Sequence, residues 1–156
     1  MDRDRDFADA FEAAFDELCQ LVDAACAAET GWPNRAAAGI SAALGFAAAK
    51  PRAAQVLTSD AFSNGLYGAL RYRRMTTHFA AMLHEGRTER SDGGAGLPEV
   101  TEEALLGGIA EVVAERLRAG REATLTALSP ELIELALMPY LGTDRARRVA
   151  FERRAP

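Results

Sequence analysis

Phe7, Phe11, Phe15, Leu18, Val22 and Cys26 follow one another at steps of three and four residues. That spacing stacks side chains along one side of an α-helix and does not fit the two-residue alternation of a strand. A first helix over about 7–28 is therefore expected, with a heavy aromatic end. Gly31 stops it, and Pro33 opens the next helix, since proline has a preset φ and no N–H to lose in a first turn. The second helix, about 33–49, aligns Ala36, Ile40, Leu44 and Ala47, with Trp32 and Phe46 beside them. Pro51 repeats the device and starts a short helix to about residue 59, carrying Val56 and Leu57.

Beyond a Ser63-Asn64-Gly65 break, a long helix to about residue 85 is expected to turn Leu66, Leu70, Met75, Phe79, Met82 and Leu83 inward. Tyr67 and His78 flank this stripe, and Gly86 ends the helix. Residues 87–98 turn polar and glycine-rich, through Asp92-Gly93-Gly94-Ala95-Gly96, and read as a flexible loop. Thr101 is placed to cap the following helix, with Glu102 and Glu103 at the positive end of its dipole and Gly120 just past its end. Ser129-Pro130-Glu131 opens another helix, a serine cap with proline in the first turn. It runs through Leu132, Leu135, Ala136 and Leu137 to Pro139 and Gly142. Residues 143–156 read as a basic C-terminal helix or tail, and 1–6 as a flexible start. Strand formers are scarce and alanine dominates a hydrophobic fraction of 49%. The expectation is an all-α fold of about six to seven helices, with 1–156 as a single domain.

Several function classes are excluded by what the chain lacks. No run reaches the roughly 18 apolar residues that span a bilayer, and the start Met-Asp-Arg-Asp-Arg-Asp does not resemble a signal peptide. No membrane partner and a cytoplasmic location are expected. A net charge of −5 speaks against nucleic acid as a partner of the whole chain. The clusters Arg71, Arg73, Arg74 and Arg145, Arg147, Arg148, Arg153, Arg154 read as solvated helix faces. Cys19 and Cys26 lie about 10 Å apart along one helix, at 1.5 Å per residue, too far for a disulfide, and read as small apolar fillers. His78 and His84 have Met75 and Ala81, not glutamate, three residues before them, which disfavours a paired Glu-x-x-His di-iron site. There is no Cys-x-x-Cys pair and no phosphate-binding glycine loop, and Cys19 and Cys26, which a distant histidine could still meet in the fold, lie on an apolar stripe with no nearby base. No catalytic residue, metal or cofactor is expected, and the chain does not read as an enzyme.

Two constellations remain. Phe11, Phe15, Trp32, Phe62, Tyr67, Met75, His78, Phe79, Met82 and Ile109 can line an apolar cavity between helices, with His78 and the tyrosine hydroxyl orienting a ligand; they can equally be core. The pair Gly107-Gly108 stands in mid-helix, where each glycine costs about 1 kcal/mol against alanine, and the helix at 131–141 is apolar around much of its circumference. Both features suggest a helix–helix interface between subunits, with Leu105, Gly108, Val112, Leu132, Leu135, Ala136 and Pro139 as candidates. Close packing within one subunit is the alternative.

The run from Leu97 to Ala146, and above all Thr101-Glu102-Glu103-Ala104-Leu105-Leu106-Gly107-Gly108-Ile109, Leu128-Ser129-Pro130-Glu131-Leu132 and Met138-Pro139-Tyr140-Leu141-Gly142, resembles the C-terminal half of tetracycline-repressor-family transcriptional regulators. Gly31-Trp32-Pro33 and Lys50-Pro51 are similar to the preceding ligand-domain helices of that family. The resemblance implies an Ω-shaped homodimer joined by the helices at about 101–119 and 129–141 in a four-helix bundle. It further implies a cavity within residues 7 to about 119 for an apolar or amphipathic small-molecule effector. The family carries a helix-turn-helix head of some 45 to 50 residues ahead of the first ligand-domain helix, where this chain has Met1 to Asp6. The implied role is effector sensing and dimerisation for transcriptional regulation, with DNA contacted through a head or a headed partner outside this sequence. A ligand-free helical interaction or structural domain is the competing expectation.

Overall fold

Prolines in the first turn of three helices fix where the chain changes direction, as their preset φ requires. A computed structural model describes residues 2–152; Arg153 and Arg154 of the basic tail lie outside them. In order, the helices are α1 (Asp2–Ala27), α2 (Trp32–Ala49), α3 (Pro51–Leu57), α4 (Ser59–Ser63) and α5 (Gly65–His84). A 3₁₀ turn (Glu85–Glu89) and a loop lead to α6 (Thr101–Arg118). Two short 3₁₀ turns then lead to α7 (Ser129–Leu141) and α8 (Thr143–Glu152). The fold is all-α, with no strand among the described residues. Among the described residues eight helices stand where about six to seven were expected, because the backbone breaks at Thr58 and α4 follows as a separate turn.

The α1 stripe is buried as its spacing demands: Phe11, Phe15, Leu18 and Val22 pack with Leu44 and Phe46 of α2, Leu57 of α3, Met75 of α5 and Val113 and Leu117 of α6. Full burial of a side chain such as Phe11 or Leu44 contributes about 2 kcal/mol. A second cluster joins Trp32, Leu83, Ile133, Leu137, Tyr140, Ala146 and Ala150, so α7 is held between α2 and α8. Positive-φ glycines stand where the local chemistry asks for them, Gly31 before α2 and Gly142 after α7.

Local expectations fail in five places. The first helix starts at Asp2, not Phe7, with Asp2 and Asp4 at the positive end of its dipole, so 2–6 are helical rather than a flexible start. Thr101 does not cap α6; its hydroxyl donates to the Pro98 carbonyl, 2.7 Å away. Ser129 is no cap either, because the preceding turn already has helical backbone and the Ser129 hydroxyl pairs with that of Ser41 at 2.9 Å. Gly86 is not a positive-φ stop. It sits in the 3₁₀ turn, where a Cβ would run into the Trp32 indole, so lack of a side chain is what the site needs. The 87–98 segment, finally, is organised rather than loose. Asp92 accepts from the Gly94 and Gly96 N–H groups and from Arg90, and Arg90 also donates to the Pro139 carbonyl of α7 at 2.9 Å. Arg90 and these backbone N–H groups hold the Asp92 carboxyl well below the usual carboxylate range.

Candidate functional site

α2 runs through the middle of the molecule, and the space along one of its sides is not filled by protein. A cavity of about 320 Å³ lies there, walled by α1, α2, α3, α5 and α6. Its volume falls at the lower end of the roughly 300–1,000 Å³ common for small-molecule sites. Leu18 and Val22 of α1, Ile40 and Ala43 of α2, Phe79 and Met82 of α5, and Leu106, Ile109 and Val113 of α6 give it a hydrocarbon surface. The wall at the α5 end is held rigid by Trp32, whose Nε1–H donates to the Met82 carbonyl at 2.9 Å and whose ring meets Tyr140 edge-on at 5.0 Å.

Polar groups reach the cavity in two places. Thr58 and Thr76 line one part, but their hydroxyls donate to the Ala54 and Arg73 carbonyls. Cys26, Arg35 and Glu85 line the other part, where α1 ends, α2 begins and α5 ends. The Cys26 thiol donates to the Arg35 carbonyl at 3.4 Å. Burial, with Asp23 adding to it, pushes this thiol up, so it stays protonated and is a poor nucleophile. The Arg35 guanidinium and the Glu85 carboxylate stand 4.0 Å apart.

Of the residues expected to line a pocket, Trp32, Met75, Phe79, Met82 and Ile109 do so. The other five do not. Phe11 is wholly buried in the core beneath the site, and Phe15 is in the core with it. His78 points outward with its ring against Phe15 and Phe79. Phe62 and Tyr67 lie on the exterior, on the sides of α4 and α5 opposite buried Ala61 and Gly68. Leu66 and Leu70, expected inward, are exposed with them; Leu66 is 74% exposed.

The interface candidates divide in the same way. Leu132 and Ala136 are buried within the protomer, so they are core and not available to a second subunit. Most of the apolar circumference of α7 is covered by its place between α2 and α8, with Leu135 left out. Leu105 and Val112 are half-buried against the two core clusters, and Pro139 is half-buried. Gly108 and Leu135 remain exposed. A Cβ added at Gly107 or Gly108 would meet nothing within 4 Å, so close packing inside the protomer does not explain the pair.

One group of residues was invisible to pattern reading. Glu102 is buried, accepting a bidentate pair of hydrogen bonds from Arg87 at 2.9 Å each and one from the Tyr140 hydroxyl at 2.8 Å. Burial works against its charged form, but the Arg87 and Tyr140 hydrogen bonds outweigh it and leave the pKa below its ordinary value. Burial, and then this carboxylate, push the Tyr140 hydroxyl up. Arg87 also donates to the Gly94, Leu97 and Pro98 carbonyls, tying the end of α5 to α6 and α7 beside the cavity wall. Arg87 and Glu102 look like solvated residues in sequence because they lie on either side of a polar loop.

Among the described residues no group of three or more His, Cys, Asp or Glu is placed to hold a metal ion, and no helix is long and apolar enough to cross a membrane. No protein-family model, curated protein or solved structure matches the chain.

Proposed function

We propose that this chain is the effector-binding and dimerisation domain of a transcriptional regulator of the tetracycline-repressor kind, with DNA contacted by another domain or partner. The observation that carries the reading is the 320 Å³ apolar cavity between α1, α2, α3, α5 and α6, in the part of the chain where the resemblance puts an effector. The open glycine face of α6 supports the dimer, since a second helix backbone has room to approach there. Effector binding acts by favouring one of two dimer conformations.

Native mass spectrometry of the purified chain tests both halves of the proposal. A dimer carrying an apolar adduct is the expected result, and a clean monomer that takes up no hydrophobic compound sinks it. Gly108 offers a finer check. On an open helix face Gly108→Ala is expected to stabilise the protomer by about 1 kcal/mol through helix propensity, whereas Gly108→Leu weakens the dimer by crowding the approach. A dimer unchanged by Gly108→Leu in analytical ultracentrifugation removes α6 from the interface.

The exposed ridge of Phe62, Leu66, Tyr67 and Leu70 favours a second reading, a helical protein-interaction domain. The two separate cleanly: Leu66→Asp with Leu70→Asp leaves effector uptake intact under the first reading and abolishes partner binding under the second.

A further inference from the structure

The cavity follows α2 from Arg35 to Ala47. Those twelve residue steps correspond to roughly 18 Å of helix axis at 1.5 Å per residue, so an elongated occupant fits better than a round one. Along the α2 wall the small residues Ala36, Gly39, Ala43 and Ala47 alternate with bulkier Ile40 and Leu44.

The polar groups at the wall are not equivalent. Thr58, Thr76 and Cys26 each donate their hydrogen to a backbone carbonyl. Arg35 and Glu85 stand apart from these: 4.0 Å separates guanidinium nitrogen from carboxylate oxygen, beyond hydrogen-bond reach, and both side chains touch solvent. The two form an ion pair, and an amide lying across it, its oxygen beside the guanidinium and its N–H beside the carboxylate, can accept from Arg35 and donate to Glu85 at once. A carboxylate head meets Glu85 and an ammonium head meets Arg35. A neutral group carrying both an acceptor and an N–H fits without repulsion.

Resting on the effector-site reading, we infer that the cavity takes a neutral, straight-chain amphipath of the aliphatic-amide class, its tail along α2 and its head across the Arg35–Glu85 pair. The tail supplies affinity through burial, and the head supplies selectivity.

The test is displacement of the neutral probe N-phenylnaphthylamine from the folded chain. The competitors are a primary amide, carboxylate and amine of the same chain length, with Trp32 fluorescence as a second readout. The amide is expected to compete about tenfold better than either charged analogue. Each added methylene tightens binding roughly fourfold until the tail reaches the Ala47 end. Glu85→Gln is expected to narrow the gap between amide and carboxylate, and Arg35→Gln to weaken the amide about tenfold. Both side chains reach solvent, so both variants keep the fold. A carboxylate or amine that matches the amide, or a head-group order unchanged in both variants, overturns the inference while leaving the cavity as a binding site. A chain that binds neither probe nor any amphipath overturns the effector-site reading and this inference with it.

Discussion

In the C-terminal half of α5, Met75, Phe79, Met82 and Leu83 face the cavity and the core, whereas in its N-terminal half Leu66, Tyr67 and Leu70 face solvent. The apolar spacing alone assigns both sets to the interior. The difference lies in what each half meets. The C-terminal half packs against α6 and is followed at once by the Trp32–Gly86 contact and the Arg87–Glu102–Tyr140 network. The N-terminal half meets mainly α4, a helix of five residues, at a tight crossing where a Cβ on Gly68 would run into the Ala61 carbonyl. Five residues cannot cover two turns of a neighbouring helix on more than one side. One end of α5 is thus anchored and the other is a bare ridge.

The contrast is open to direct attack. The largest effect is expected for Glu102→Ala, which leaves Arg87 and Tyr140 without their acceptor. Loss of one partner of a buried pair costs about 3 kcal/mol, read as a lowered urea midpoint; a midpoint within experimental scatter of wild type would mean that the anchored end is not anchored by this network. Next is Gly86→Ala, which forces the Trp32 ring out of place at a cost of about 2 kcal/mol and should change Trp32 fluorescence as well as stability.

A smaller effect should appear in acid. Because the folded pKa of Glu102 lies below its ordinary 4.5, its contribution to stability is present above that value and is lost as the pH falls through the folded pKa. The urea midpoint of the wild type should therefore fall below about pH 4.5, and the Glu102→Gln variant should show a shallower acid limb. Equal acid limbs would place the acid sensitivity elsewhere. The least is expected at the other end of α5. Leu70→Ser should change stability by no more than about 0.5 kcal/mol, as for an exposed site, and a loss of 2 kcal/mol or more would mean that a partner or second copy covers the ridge in solution.

Much of the helical framework was legible in sequence. Pro33, Pro51 and Pro130 mark first turns and Gly31 and Gly142 mark breaks, because each acts through its own φ or its missing N–H. Half of the expected cavity residues, Trp32, Met75, Phe79, Met82 and Ile109, also stand where they were placed. Their helices are long and strongly periodic, so the shared face follows from the helical repeat. Arg35 and Glu85 were missed because a charged residue near a helix end looks the same whether it faces open water or the mouth of a cavity. Thr101 and Ser129 misled because a capping residue must itself sit outside the helical backbone, whereas each of these is already the first helical residue and its hydroxyl found another partner.

What the sequence determined by itself was the all-α class, most helix boundaries and the residues that share a face. Those depend on the torsions and side chains of neighbours a few positions apart, so they are written locally. Which faces are covered, that α2 borders an unfilled space, and that Glu102 is buried with Arg87 and Tyr140 were decided by the tertiary structure alone. Each depends on segments tens of residues apart, and burial is a property of what arrives from elsewhere in the chain.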